Sequence, residues 1–230
     1  MHTPSSGNGR AGERAHDVSR PPATELAAQK KALHASERDT ERVQQARADY
    51  RELIAPLDLE RLKFIDESGV NLAMTRRYGR APRGERVVGA VPQNYGANVT
   101  MLAALSLQGV DAVMTIDGAT DAEVFHAYVA QVLCPTLAPG DVVIMDNLRA
   151  HKVAGIRERI EACGAQLIYL PPYSPDLSPI EPCWSKLKTL LRTAQARTRD
   201  ALDAAIRQVL AAVTPSDARG WFRHCGYTLR

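Results

Sequence analysis

The sequence predicts an α/β fold: a mixed five-stranded sheet flanked by helices. Three observations lead there. Three strand-like stretches (61–67, 98–107 and 110–116) follow one another with no helical segment between them, so they read as a meander. After residue 120, helical periodicity and short apolar runs alternate. The last fifty or so residues are helical throughout. The order β-β-β-α-β-α-β-α-α-α places helices on both faces of a mixed sheet.

Taken in order, residues 1–23 are rich in Ser, Gly, Pro and Arg and hold almost no large apolar residue, which predicts disorder. Residues 24–56 read as a helical linker. Leu26, Leu33, Val43, Tyr50, Leu53 and Ile54 lie sparsely among mixed charges, so the helix rests on the main domain with a weak apolar face. That domain runs over 57–230. In its first strand, alternation puts Leu62, Phe64 and Asp66 on one side. Residues 68–97 form a loop in which Arg76, Arg77, Arg80, Arg83 and Arg86 fall within eleven positions (86 − 76 + 1), with Gly79, Pro82 and Gly84 between them. The next two strands meet at Gln108-Gly109 and make a hairpin beside the first.

Thr120-Asp-Ala-Glu123 has the form of a capping box. It opens a helix with Val124, Tyr128, Val129 and Val132 on one face, closed by Pro135. Asp141-Val-Val-Ile-Met-Asp146, bounded by Pro139-Gly140 and Asn147, is a buried strand. A helix over 152–162 stops at Gly164, and 166–170 is the last strand. Ser178-Pro-Ile-Glu181 begins a helix to about Ala196, with an apolar stripe of Ile180, Trp184, Leu187, Leu191 and Ala194. Helices over 198–212 and 215–224 close the chain, the second started by Thr214-Pro215.

Composition narrows the function classes. The chain has 230 residues, a net charge of +3 and a pI near 8.7. Such a mild excess permits a nucleic-acid partner without requiring one. Cys134, Cys163, Cys183 and Cys225 are scattered with no C-x-x-C pair, which argues against a structural zinc site. The N-terminus is polar, without a secretory signal, and no run is long enough to span a bilayer. Disulfides and a membrane partner are not expected, and a cytoplasmic location is.

The chemistry lies at the ends of elements. Asp66 and Asp146 each end a strand, and strand carboxyl ends are where α/β sheets bind ligands. Glu181 begins a helix after a rigid Pro-rich loop. Three carboxylates brought together from separate elements suit Mg²⁺ or Mn²⁺, and a pair of such ions suits phosphodiester chemistry. Each residue also has an ordinary role: Asp66 and Asp146-Asn147 as turn residues, and Glu181 as the N3 member of a capping box with Ser178. A carboxylate cannot fully serve a cap and a metal together, so Glu181 poses a choice. Lys188 and Arg192 share a helix side with Glu181, as phosphate contacts or as a solvated face. The five arginines of 76–86 read as a DNA clamp. His151 stands at a helix start, either orienting a phosphate or merely ending the element. Glu67 faces away from Asp66, and Asp117 reads as a turn residue.

Three blocks carry a family resemblance: Phe64-Ile-Asp-Glu-Ser68, Met145-Asp-Asn-Leu-Arg-Ala-His151, and Leu170-Pro-Pro-Tyr-Ser-Pro-Asp-Leu-Ser-Pro-Ile-Glu181-x-x-Trp184. They resemble a DDE transposase of the mariner superfamily, in its bacterial insertion-sequence 630-like branch. The 34 residues between Asp146 and Glu181 (181 − 146 − 1) match that branch. Met74-Thr-Arg-Arg-Tyr-Gly-Arg-Ala-Pro-Arg-Gly84 is similar too. The resemblance implies an RNase H-like fold and two Mg²⁺ ions, with Mn²⁺ as a substitute. Asp66 would bridge both ions, and Asp146 and Glu181 would each hold one. It implies cleavage of double-stranded DNA at transposon ends and attack of the freed 3′-hydroxyl on target DNA, at a TA dinucleotide as is usual for the family. A homodimeric active complex and a nucleoid-associated setting belong to the same expectation. Relatives carry an upstream helix-turn-helix region, which residues 1–23 do not resemble, so this chain corresponds to the catalytic half. Two alternatives stand beside that reading: an RNase H-like nuclease that only hydrolyses, and an inactive DNA-binding remnant.

Overall fold

The computed structural model describes residues 34–96, 98–147 and 154–228. The expected disorder of 1–23, the linker before His34, and His151 lie outside the described residues. At the centre is β1 (Leu62–Val70). On one side it pairs antiparallel with β2 (Val99–Ser106), which pairs antiparallel with β3 (Gly109–Asp117). On the other it pairs parallel with β4 (Val142–Met145), and β4 pairs parallel with β5 (Gln166–Tyr169). The order β3-β2-β1-β4-β5 is the mixed five-stranded sheet that the sequence predicts.

Strand alternation sends side chains into two cores. Leu62 and Phe64 of β1, with Val142 and Ile144 of β4, face α1 (Glu41–Ile54), α4 (Ile180–Ala194), α5 (Arg199–Ala211) and α6 (Pro215–His224). Ile65, Val143 and Met145 face α2 (Ala122–Tyr128) and α3 (Ile156–Ala162). A one-residue slip would exchange the two sets, so the register is firmly set by burial. Phe64 meets Phe222 and Tyr227 edge-on, with centroids 5.4 and 5.3 Å away.

Several local expectations are corrected. Asp121, not Thr120, caps α2, accepting from the Val124 amide at 2.8 Å. An aspartate one residue nearer the helix caps it as well and also favours the positive helix end. The α2 face is Phe125, Tyr128, Val129 and Leu133, because a π-turn over Val129–Leu133 shifts the period. Among the described residues the helix before the sheet starts only at Glu41, since Thr40 is extended (φ −67°, ψ 144°) after a 3₁₀ turn at Ser36–Asp39. In α4, Cys183 rather than Ala194 joins the buried stripe. The helix after β4 begins at Ile156, preceded by Gly155 in the left-handed region (φ 87°).

The docking of α1 rests on polar anchors as well as on Val43, Tyr50 and Ile54. Arg47 is only 2% exposed. Its Nη1 donates to Ser174 Oγ (2.6 Å) and Asp176 Oδ1 (3.0 Å), and its Nη2 to Asp176 Oδ2 (2.7 Å). Arg38 adds a contact to the same carboxylate at 3.1 Å. The Tyr50 and Tyr227 hydroxyls bond each other at 2.8 Å, and Tyr227 donates on to the Leu177 carbonyl. Burial alone would raise the Asp176 pKa, but the Arg47 fork and then Arg38 outweigh it and hold the carboxyl below the usual aspartate range.

This makes a stability prediction. Asp176→Asn leaves a buried guanidinium short of an anion and lowers stability by about 2–3 kcal/mol in urea unfolding at pH 7. Arg47→Met costs less, since Asp176 can turn to water. The folded pKa lies below the unfolded one, so the carboxylate's contribution is complete above the ordinary aspartate value of about 4. It is lost as pH falls through the lowered folded value. The gap between wild type and Asp176→Asn therefore closes in acid.

Candidate active site

The parallel β1–β4 register determines where two of the acids meet. Ile65 lies opposite Met145 as the last aligned pair, so Asp66 and Asp146 come next, side by side. Asp146 follows the end of β4 as expected, but Asp66 lies inside β1, which runs on to Val70 because β2 continues to pair with it. Ile65 and Met145 point into the α2/α3 core. By alternation, Asp66 and Asp146 turn to the opposite face, toward α4.

Glu181 reaches that face through a loop made stiff by its sequence. Leu170 continues the ladder by donating its amide to Met145 O at 2.9 Å. Pro171, Pro172, Pro175 and Pro179 restrict the backbone that follows. Tyr173 takes a left-handed φ of 55°, and Pro175–Leu177 forms a 3₁₀ turn. Arg47 and Tyr227 grip this loop from outside. Glu181 then falls in the first turn of α4. No side chain caps α4, and Pro179 occupies the cap position. Glu181 is therefore not the capping-box partner of Ser178, and its carboxylate is left for the cleft.

Asp66, Asp146 and Glu181 line one cleft of about 460 Å³ together with Arg42, Ile65, Asn147, Ser174, Ser178 and the Pro171–Pro172 wall. Their charges act on one another. Desolvation, with the charges of Glu181 and Asp146 added, pushes Asp66 up to about 7. Hydrogen bonds from the Glu67 backbone and from Trp184 oppose that rise. Glu181 is open to solvent but crowded by protein. Partial desolvation raises its pKa, the Lys188 ammonium lowers it, and Asp146 raises it further. Like charges on Glu181 and Asp146 thus act on Asp66, and that on Asp146 acts on Glu181.

As placed, no three His, Cys, Asp or Glu side chains among the described residues stand close enough to ligate a single ion. The donors nevertheless fit a hard divalent cation in kind. They are carboxylate oxygens from three elements lining one cleft, with an open side for water. Asp66, Asp146 and Glu181 are the residues that would hold it.

The other residues singled out by sequence fall into two groups. Lys188 acts on Glu181 electrostatically, and Arg192 lies half-buried on the same helix. Arg76, Arg77, Arg80, Arg83 and Arg86 are all exposed on the β1–β2 loop and none lines the cleft. The root of that loop is fixed: Arg197 donates to the Leu72 and Met74 carbonyls (both 2.9 Å), and Gln195 to Thr75 Oγ1 (2.7 Å). Arg42 carries no signal in the sequence. It lies on a helix with no motif, and only the docking of α1 reveals that it reaches the cleft. Trp184 was read as core. Its buried indole N–H, which needs an acceptor, was the signal for more.

Comparison with known proteins bears on the family and the fold. The family model for the DDE superfamily endonuclease matches residues 61–203. No curated protein matches the chain. Among solved structures the chain is similar to the Mos1 transposase paired-end complex with left transposon end, at 17% identity and TM-score 0.66. That match covers 86% of this chain and 62% of the other. It is similar to the mariner Mos1 paired-end complex with Mg, at 15% identity and TM-score 0.67, covering 88% and 65%. It is also similar to the catalytic domain of Mos1 mariner transposase, at 14% identity and TM-score 0.57, covering 85% and 91%. The chain thus spans about 62% of the first of these. The shared feature is the fold, the RNase H-like sheet and helices of a transposase catalytic domain.

The crowding of like charges can be tested without any metal. In EDTA, Glu181→Gln removes one of the repelling carboxylates and no hydrogen-bonded cap. Its melting temperature should rise by about 2 °C, as for a gain of under 1 kcal/mol. A fall would show that the attraction of Glu181 to Lys188 outweighs its desolvation and the repulsion from the other carboxylates.

Proposed function

This chain belongs to the DDE superfamily endonucleases, and from that premise we propose that it is the catalytic part of a DDE transposase of the mariner superfamily. The 34-residue spacing from Asp146 to Glu181 (181 − 146 − 1) favours the bacterial insertion-sequence 630-like branch. The activity is cleavage of double-stranded DNA at transposon ends, followed by joining of the freed 3′-hydroxyl to target DNA. Residues 57–230 are the catalytic domain, with the helical part of 24–56 docked on it. The observation that carries this reading is the single cleft lined by Asp66, Asp146 and Glu181.

In this reading the three carboxylates bind two Mg²⁺ ions, with Mn²⁺ as a substitute. Bound there, the ions supply an activated oxygen nucleophile at neutral pH and stabilise the leaving oxygen. The chain's own residues do the rest. Asp66 sits centrally, and Asp146 and Glu181 flank it. Ile65, Leu170, Pro171 and Pro172 wall the cleft and thin the water around it, which strengthens every charge interaction inside. Arg42 at the cleft, and Lys188 and Arg192 along α4, hold phosphates of the bound strand. Arg76, Arg77, Arg80, Arg83 and Arg86 hold the duplex farther out, with His151 as a further phosphate contact. Mos1 structures solved with Mg and with Mn, and in a strand transfer complex, support the metal and DNA assignments by analogy of fold. A homodimer in the active complex, an upstream helix-turn-helix segment or protein, and a cytoplasmic, nucleoid-associated location complete the proposal. Among the described residues no helix is long and apolar enough to cross a membrane.

Two measurements test it. Asp66→Ala, Asp146→Ala and Glu181→Ala should each lower Mg²⁺-dependent cleavage of end-containing DNA about a thousandfold, or about 4 kcal/mol, while still folding. Wild type that cuts but never yields joined product would be a nuclease that only hydrolyses. Separately, replacing the five loop arginines with Ala should flatten the salt dependence of DNA binding by up to about five in log–log slope. An unchanged slope would remove the loop from the interface.

A further inference from the structure

Trp184 is only 3% exposed and lies in the apolar stripe of α4. It also does something a core residue need not do: its Nε1 donates to Asp66 Oδ2 at 2.9 Å. The contact joins residues 118 apart in sequence, from a helix to the central strand. Trp184 follows Glu181 by three residues, so the two share one face of α4 one turn apart. Its ring is held by packing. Ile180, Cys183, Leu187 and Leu191 are buried around it in the same core as Phe64.

The backbone of Asp66 is fixed inside β1, but its carboxylate can still turn about its side-chain torsions, and the charges of Glu181 and Asp146 give it reason to. A donor fixed on a packed ring removes that freedom by choosing one oxygen. A phenylalanine would keep an aromatic ring in the core and leave the oxygen without its donor. We infer that Trp184 is a positioning residue for Asp66: the indole N–H pins Oδ2, aims the carboxylate into the cleft, and ties it to Glu181 through one rigid helix. This rests on the proposed reading of Asp66 as a cation ligand. Partners of this kind, which orient a ligand without touching the ion, typically change metal affinity or activity by 10–100-fold when lost.

The decisive variant replaces Trp184 with benzothienylalanine, which has the shape of tryptophan with sulfur in place of the N–H. Mn²⁺ binding to the full chain without DNA is followed by electron paramagnetic resonance of the free ion, alongside the melting temperature. The expected result is a melting temperature close to wild type with Mn²⁺ affinity at least about tenfold weaker. Equal affinity in wild type and variant overturns the inference and leaves the metal site standing. A wild type that takes up no Mn²⁺ overturns the metal-site reading, and the inference with it. A second measurement needs no altered core. In ¹⁵N spectra of the wild-type chain, whose tryptophans are Trp184 and Trp221, the Trp184 indole proton should exchange slowly and shift on adding Mg²⁺, while that of Trp221 should not shift. Rapid exchange at Trp184 would overturn the inference by itself.

Discussion

The parallel pairing of β1 with β4 is the constraint on which the rest depends. Two parallel strands in register keep their matched residues level with each other. The Ile65–Met145 pair therefore sets Asp66, midway along β1, beside Asp146, just past the end of β4. Because side chains alternate, the same register decides which face the acids share. A slip of one residue would send one carboxylate into the α2/α3 core and break the set. The tight burial of Phe64, Ile144, Val143 and Met145 holds that register. Burial in two apolar cores thus fixes the geometry of a polar site.

The third acid is placed by a different means. Glu181 depends on a proline-rich loop whose stiffness is partly its own and partly borrowed. The buried Arg47 fork and the Tyr50–Tyr227 pair hold the loop against the body of the fold. In sequence the helix bearing Arg47 and Tyr50 looks like a connector of little consequence. In space it supplies the outer half of the loop's support and one cation at the cleft, Arg42.

Much of this was readable from residues alone, and the reasons are physical. The strands show through short apolar runs and Gly or Pro punctuation, so the sheet and both aspartates are in view, although Asp66 lies inside its strand rather than at its end. The capping ambiguity at Glu181 was also visible, but its outcome was not. Ser178-Pro-Ile-Glu181 satisfies the spacing of a box, and only the position of Pro179 at the cap shows that no side chain closes it. What stayed hidden were long-range pairings between ordinary residues. Nothing near Arg47 in sequence points to Asp176, and nothing near Trp184 points to Asp66. The shift in the α2 face had a similar origin, since periodicity assumes 3.6 residues per turn and a π-turn violates it.

The anchoring of α1 bears on where this fold can be cut. A polypeptide trimmed to begin at Leu57 would look complete by strand count, for every element of the sheet would remain. It would nevertheless lose both guanidinium partners of Asp176, the donor to Ser174, and the apolar cover that Val43, Tyr50 and Ile54 give the core. The compact unit around the sheet thus takes in α1 as well as the 57–230 domain, and Arg38 and Arg47 belong to what holds it closed.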